Sequence, residues 1–248
     1  MHNTPTSYSN AQPPTLVSWN IQGFRTGKPE LDLIILDKKP VIICLQETMC
    51  PSSKPLTITG YKVYHRPRQS GMRAAGGVIV AVESGIDSEA VETDSLLEAI
   101  AIKVGPPLNI TVLNMYLPPG DSINKNVIGS LITEISHPLL LVGDMNPHHP
   151  LWGSECTSPR GCDIEEVLNE HNLVVLNSGE PTFISHSTGR GSCIDLACCS
   201  NELAGQIDFY AAENTQRSCP CVSNVPWIHQ AGVISDKMEN RRGRLATV

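Results

Sequence analysis

The run Leu139-Leu140-Leu141-Val142-Gly143-Asp144-Met145-Asn146 limits the folds open to this chain more than any other segment. Four apolar side chains in succession suit a strand covered on both faces, as inner strands of α/β folds are, and not a strand with one wet face. Gly143 then lets the backbone turn, so Asp144 and Asn146 leave the strand end on the same side. A carboxylate and an amide thereby share one phosphate-sized space.

Similar short runs recur along the chain. Strands are predicted at residues 16–20, 41–46, 77–82, 99–104, 110–115, 139–144 and 193–198, each rich in β-branched or apolar residues. Helical apolar spacing covers residues 30–37, 123–135 and 164–171, the last opened by Asp163 as N-cap with Glu165 and Glu166 in its first turn. The order is neither strict β-α-β alternation nor all-β. A length of 248 residues admits one large α/β unit or two small domains, and the absence of a linker between Leu16 and Ala197 favours one, over residues 15–210. Residues 1–14 read as a disordered tail without the charged start or apolar core of a signal peptide. Residues 211–248 hold no adequate alternating or apolar run and read as an atypical, frameshifted or disordered end.

No stretch approaches the roughly 20 apolar residues that cross a bilayer, so no membrane partner is expected. The expected setting is intracellular, the nucleus included, where the nine cysteines would be reduced rather than paired. Zinc is the sharper alternative for Cys156 and Cys162, which follow His148 and His149, but their spacing matches no paired-cysteine pattern. The net charge of −7 argues against indiscriminate coating of nucleic acid. Locally the balance reverses: residues 62–73 (KVYHRPRQSGMR) carry four Lys/Arg and no acid, and read as a loop that holds phosphates or is merely solvated.

Several runs end in residues useful to metal and phosphate chemistry. Val17-Ser18-Trp19 leads to Asn20, Leu45-Gln46 to Glu47, Asn114-Met115 to Tyr116, and Ser192-Cys193-Ile194 to Asp195. A lone carboxylate after a strand can hold a hard cation that keeps its waters, and a phenol can donate to a phosphate oxygen. Singly these signals are weak. As an ordered set, WNIQG, LQET, NMYLPPGD, GDMNPHHPLWGS and SCIDL over residues 19–196 resemble the endonuclease/exonuclease/phosphatase superfamily, which includes DNase I and the abasic-site endonucleases. The LQET form, HHPLWG after the Asp-x-Asn, and PTF ahead of SCIDLA resemble most the endonuclease domain of jockey-type non-LTR retrotransposons.

The resemblance implies an α/β four-layer sandwich, two mixed β-sheets flanked by helices, with the site where strands of both sheets end. It implies Mg²⁺ or Mn²⁺ as cofactor, Glu47 as its ligand, Asn20 supporting metal and phosphate, and Tyr116 on the phosphate. Asp144 would deprotonate the attacking water, Asn146 would hold water or phosphate, and Asp195 would complete the catalytic set. DNA is the implied partner; the basic run at 62–73 offers Arg66, Arg68 and Arg73 as its contacts, and His148 stands beside the site as a further one. A reverse transcriptase normally accompanies the endonuclease in the family, and none fits in the residues after 211. Trp19 and Trp152 read as core or loop anchors, Ser192 as a local cap, and Gln22 as a weakened support for the metal. One departure stands out: the family's late Ser-Asp-His is replaced by Gln216-Arg217-Ser218-Cys219-Pro220-Cys221, which leaves Asp195 without its histidine. The reading is therefore a metal-dependent nicking endonuclease impaired by that loss. The alternatives are a degenerate copy that at most binds metal or DNA, and a phosphomonoesterase on the same scaffold.

Overall fold

Two parallel strand pairs, each closed by one helix, organise the molecule. Parallel neighbours need a long crossover, and a helix supplies it with one apolar stripe against the sheet. In the first, β1 (Thr15–Asn20) passes through α1 (Phe24–Lys38) to β2 (Ile42–Gln46); in the second, β7 (Ile110–Tyr116) passes through α2 (Lys125–Glu134) to β8 (Leu139–Asp144). The structure is a computed structural model that describes residues 14–51, 55–68, 76–122, 124–184, 189–211 and 221–224.

Each pair is widened by antiparallel neighbours into a mixed sheet of six strands. The first sheet adds β4 (Val78–Glu83) and β3 (Tyr61–Arg66) beyond β2, and β14 (Cys221–Asn224) and β13 (Asp208–Ala211) beyond β1. The second adds β6 (Glu98–Val104) and β5 (Ser88–Val91) beyond β7, and β12 (Asp195–Ser200) and β9 (Leu173–Val175) beyond β8. A short ribbon pairs β10 (Phe183–Ile184) with β11 (Gly191–Ser192).

The sheets pack face to face. Leu16, Ile42, Cys44 and Val80 of the first interleave with Ile102, Val112, Leu140 and Val142 of the second. Outside, Phe24 and Leu31 of α1 cover Trp19, Ile43 and Ile79, while Ile128 and Leu131 of α2 and Ile164 and Val167 of α3 (Pro159–Glu170) cover Leu113 and Leu141. This is the α/β four-layer sandwich expected. The run 139–144 is buried throughout because β8 is an inner strand with a helix layer on one face and a sheet on the other. At about 1.5–3 kcal/mol per buried aliphatic side chain, Leu139 to Val142 are a main anchor of the second sheet.

One polar crossing interrupts the middle layer. Gln46 Nε2 donates to Ser18 Oγ (3.1 Å) and to Asn114 Oδ1 (2.6 Å), and Asn114 Nδ2 donates to the carbonyls of Leu45 (3.0 Å) and Ile79 (2.9 Å). These bonds cross from one sheet to the other and fix their relative register next to the strand ends.

Gly143 is required by space as well as by its φ of 146°. A Cβ there would lie 1.9 Å from the Met115 carbonyl oxygen on β7. Gly143→Ala is expected to destabilise the protein by roughly 3–5 kcal/mol, since the β7–β8 ladder must part to admit it. A urea melt would read the change, and a shift below about 1 kcal/mol would mean that β7 yields freely.

Several boundaries differ from those predicted. Residues 62–66, read as the start of a loop, belong with Tyr61 to β3; their charges hide the half-buried Tyr61, Val63 and Tyr64 of an edge strand. Helix α3 begins at Pro159, capped by Ser158, whose Oγ accepts from Gly161 N (3.0 Å); Asp163 lies inside the helix. Helix α1 starts earlier than predicted, where Gly27 packs on Ile21 and Pro29 is tolerated near the start. The sheet also extends past residue 210, because β14 pairs with β1 on one side and β13 on the other. It covers an edge of β1 that a domain ending at 210 would have exposed. No helix among the described residues is long and apolar enough to cross a membrane.

Candidate active site

The carboxyl ends of the four parallel strands open on the same side, the usual place for ligands in parallel sheets. β1 ends in Asn20, β2 leads into Glu47, β7 ends in Tyr116, and β8 ends in Asp144 with Asn146 beyond it. Glu47 and Asn146 both adopt left-handed backbone, φ 50° and 51°, which turns their side chains back over the strand ends. The turns are pinned from behind. Gly23 N donates to Glu47 O (2.8 Å), Leu117 N to Asp144 O (2.9 Å), and Met145 N and Asn146 N both to Ile194 O (3.2 Å each).

Asn20 is the hub. Its Nδ2 donates to Glu47 Oε1 (3.0 Å) and to Asp144 Oδ2 (2.7 Å), joining the two sheets through one amide. The Tyr116 hydroxyl donates to the same Glu47 oxygen (2.6 Å), and Asn146 Nδ2 donates to Asp144 Oδ1 (2.6 Å). Two carboxylates are thus held close together by neutral donors, with no lysine or arginine between them in this set of bonds.

Electrostatics follow from that shortage of positive charge. Burial pushes Asp144 up to about 7; the Asn20 bond opposes this, and the nearby Glu47 carboxylate adds to it. Asp195 stands directly opposite Asp144 in the β8–β12 register and is also buried. Burial, then repulsion from Asp144, hold it well above the usual carboxylate range, against the Thr182 hydroxyl. Its Oδ2 has no hydrogen-bond partner among the described residues. Burial and the bond to Glu47 keep Tyr116 a neutral phenol.

This donor set suits a hard divalent cation. Its lone-pair donors toward a cation are carboxylate, phenol and amide oxygens, and a cation would offset the burial and the mutual repulsion that raise the acids. Among the described residues no three of His, Cys, Asp and Glu form a ready-made cage, so the fit is to an ion that keeps most of its waters. Cys156 and Cys162 are exposed free thiols outside any such group, which removes the zinc alternative for them.

The predicted DNA contacts fare differently. The Arg66 guanidinium donates to the carbonyls of Ala99 (3.1 Å) and Ser95, tying β3 across to the second sheet. Arg68 pairs with Glu98 (3.3 Å) and Asp121 (3.4 Å). Both are half-buried braces, because a guanidinium at the seam finds carbonyls and carboxylates to satisfy. Arg73 lies outside the described residues. His148 borders a cavity of about 370 Å³ next to Asn146, lined also by Leu117, Asp121, Ser158 and Arg160. Trp19 and Trp152 are buried core residues, as read.

Three contributors escaped the sequence reading. Thr182, inside the PTF motif, accepts at Oγ1 from Ile194 N and Asp195 N (3.1 Å each) and so fixes the start of β12. Glu98 accepts from Gly77 N (2.5 Å), behind the turn that carries Glu47. Arg160 reaches from α3 to the carbonyls behind Tyr116 and Asn146. Only Thr182 had a motif to mark it; the other two depend on tertiary approach.

Comparison with known proteins agrees with this fold. An endonuclease-reverse transcriptase family model matches residues 110–219. The RNA-directed DNA polymerase from mobile element jockey of Drosophila melanogaster is 27% identical over 172 residues, 68% of this chain and 19% of that protein. The chain spans about a fifth of the length of the curated relatives it matches. Among solved structures, the endonuclease domain of TRAS1, a telomere-specific non-LTR retrotransposon, superposes with a TM-score of 0.72 at 21% identity, covering 86% of this chain and 98% of that one. An AP endonuclease from Archaeoglobus fulgidus superposes with a TM-score of 0.65 at 19% identity, covering 85% and 98%.

Proposed function

We propose that this chain, a member of the endonuclease/exonuclease/phosphatase superfamily with a retrotransposon-endonuclease-like domain, hydrolyses a phosphodiester bond in DNA with the help of a divalent cation. The observation that carries the reading is the convergence of Asn20, Glu47, Tyr116, Asp144 and Asn146 from four strand ends of two sheets into one hydrogen-bonded cluster. Those are the residue types that hold a phosphate and move a proton.

Glu47 would hold Mg²⁺ or Mn²⁺, which when bound offsets charge developing on the phosphate oxygens. Asp144 accepts the proton of the attacking water, a task suited to a carboxyl pushed up to about 7. The Asn20 and Asn146 amides, now bonded to Asp144, hold it in place and can turn a donor toward phosphate oxygen. Tyr116, kept neutral, donates to a non-bridging or leaving oxygen.

The test is conversion of supercoiled plasmid to open circle with and without Mg²⁺, paired with titration calorimetry of the cation. Glu47→Gln is expected to weaken Mg²⁺ or Mn²⁺ binding at least tenfold while leaving the fold intact. Unchanged affinity would remove Glu47 as the ligand, and nicking that ignores chelation would remove the metal. One observation favours a weaker catalyst: Asp195 Oδ2, which the resemblance pairs with a histidine, has no hydrogen-bond partner among the described residues. A copy that binds cation and DNA with little turnover fits that orphaned oxygen.

A further inference from the structure

We infer that Arg160 is a positioning residue whose guanidinium locks the two loops carrying Tyr116 and Asn146 into one unit, an inference that rests on the hydrolytic reading of the site. Arg160 Nη1 donates to Leu117 O (3.0 Å) and Met145 O (3.2 Å), and Nη2 donates to Pro118 O (2.8 Å) and Asp121 O (2.6 Å). Leu117 directly follows Tyr116. Met145 lies between Asp144 and Asn146. One planar group therefore spans the β7 exit loop and the β8 exit loop, past the end of the paired strands, where the Leu117 N to Asp144 O bond is the last backbone link among those described.

The anchor beneath it is rigid. Arg160 belongs to the first turn of α3, and the Ser158 cap both accepts from Gly161 N (3.0 Å) and accepts from His148 N (3.1 Å), clipping the helix start to the loop after Asn146. A Cβ at Gly161 would meet His148 O at 2.0 Å, so helix and loop are in close contact. A lysine could not do the same work, because its compact ammonium cannot reach four carbonyls arranged around a fork. Asn146 Nδ2 also donates to Leu117 O (3.2 Å), so the loops share an acceptor that Arg160 holds still. The positive charge additionally favours the ionised form of Asp144.

The test reads geometry first and activity second. In Arg160→Ala, amide hydrogen exchange is expected to quicken at least tenfold at Leu117, Met145 and Asn146, whose N–H groups are bonded to Asp144 O and Ile194 O, while the interior of β8 stays protected. Guanidinium ion, well below denaturing concentrations and compared with equal NaCl, is expected to restore protection by entering through the adjoining cavity, which Arg160 lines. Arg160→Lys should behave like the alanine variant. Where the parent nicks DNA, turnover should fall about 100-fold with KM little changed, the cost of slight misplacement, and recover with guanidinium. Unchanged exchange at either loop would overturn the inference, as would full protection in the lysine variant. A rise in exchange spread evenly over β8 and β12, with a matching fall in melting temperature, would reduce Arg160 to a general stabiliser and overturn it too. If the parent does not nick at all, the hydrolytic reading fails while the exchange result still decides the brace.

Discussion

Stripped of divalent cations, the protein is expected to lose stability steadily as pH rises from about 4 to about 7, and Asp144→Asn to remove much of that slope. The cause is the buried carboxyl of Asp144, raised from 3.8 to about 7 by burial first and by Glu47 in addition. Between those two values the folded chain keeps a proton that the unfolded chain has released. Raising the pH therefore favours the unfolded state, and the stability present below about 4 is spent by about 7. At about 1.4 kcal/mol per pKa unit, the loss is on the order of a few kcal/mol. Asp195 pushes the same way, since it too is held above its usual range, and should supply the slope that remains in Asp144→Asn. Saturating Mg²⁺ should reverse the trend, because it binds the ionised acids and stabilises the folded state more at pH 8 than at pH 5. Thermal melts in chelator across about pH 4 to 8 provide the check. A flat melting temperature would mean that both acids ionise freely and that the strand ends are wetter than their burial implies.

The same residues explain what could be read from sequence and what could not. The inner strands were legible because β2, β7 and β8 are buried on both faces and so appear as apolar-rich runs, β7 interrupted only by Thr111 and Asn114. Their terminal residues followed, since Asn20, Glu47, Tyr116 and Asp144 lie where an apolar run stops, and the structure brings all four together. Edge strands were not legible. In β3 a strand pattern is mixed with Lys62, His65 and Arg66, and charge outweighs alternation in a reading by composition. Arg66 and Arg68 show the limit more sharply: a cluster of cations does not announce its carbonyl and carboxylate partners, and those come from Ser95, Ala99, Glu98 and Asp121, far along the chain. Arg160 has the same character, because nothing in Ser-Pro-Arg-Gly states that two loops pass in front of it. The strand β14 was missed because four residues are too few to carry a pattern, yet it lies between β1 and β13.

Inserting Asp-His between Ser218 and Cys219 is expected to raise plasmid nicking about 100- to 1000-fold over that of the unmodified chain, the amount lost when one charge-stabilising donor is removed from a comparable site. The insertion falls between β13 and β14, outside the described residues, where a connection of nine residues becomes eleven; lengthening a loop that much costs little closure free energy. What makes the prediction specific is Asp195. Its Oδ2 is buried without a partner among the described residues, which leaves it able to accept from an added imidazole. A histidine restored to that oxygen would be held protonated by a carboxylate and would donate to the phosphate, the role that Asn20, Tyr116 and Asn146 leave unfilled by any cation. The gain must then depend on Asp195: in Asp195→Asn the same insertion should add less than about tenfold, because the amide cannot hold a charged imidazole as the carboxylate does. Two outcomes would sink the argument. If the unmodified chain nicks as fast as the inserted one, with Asp144→Ala abolishing both, another group already serves as the donor. If the insertion helps equally in Asp195→Asn, the histidine acts elsewhere and Asp195 Oδ2 is unrelated to the gain.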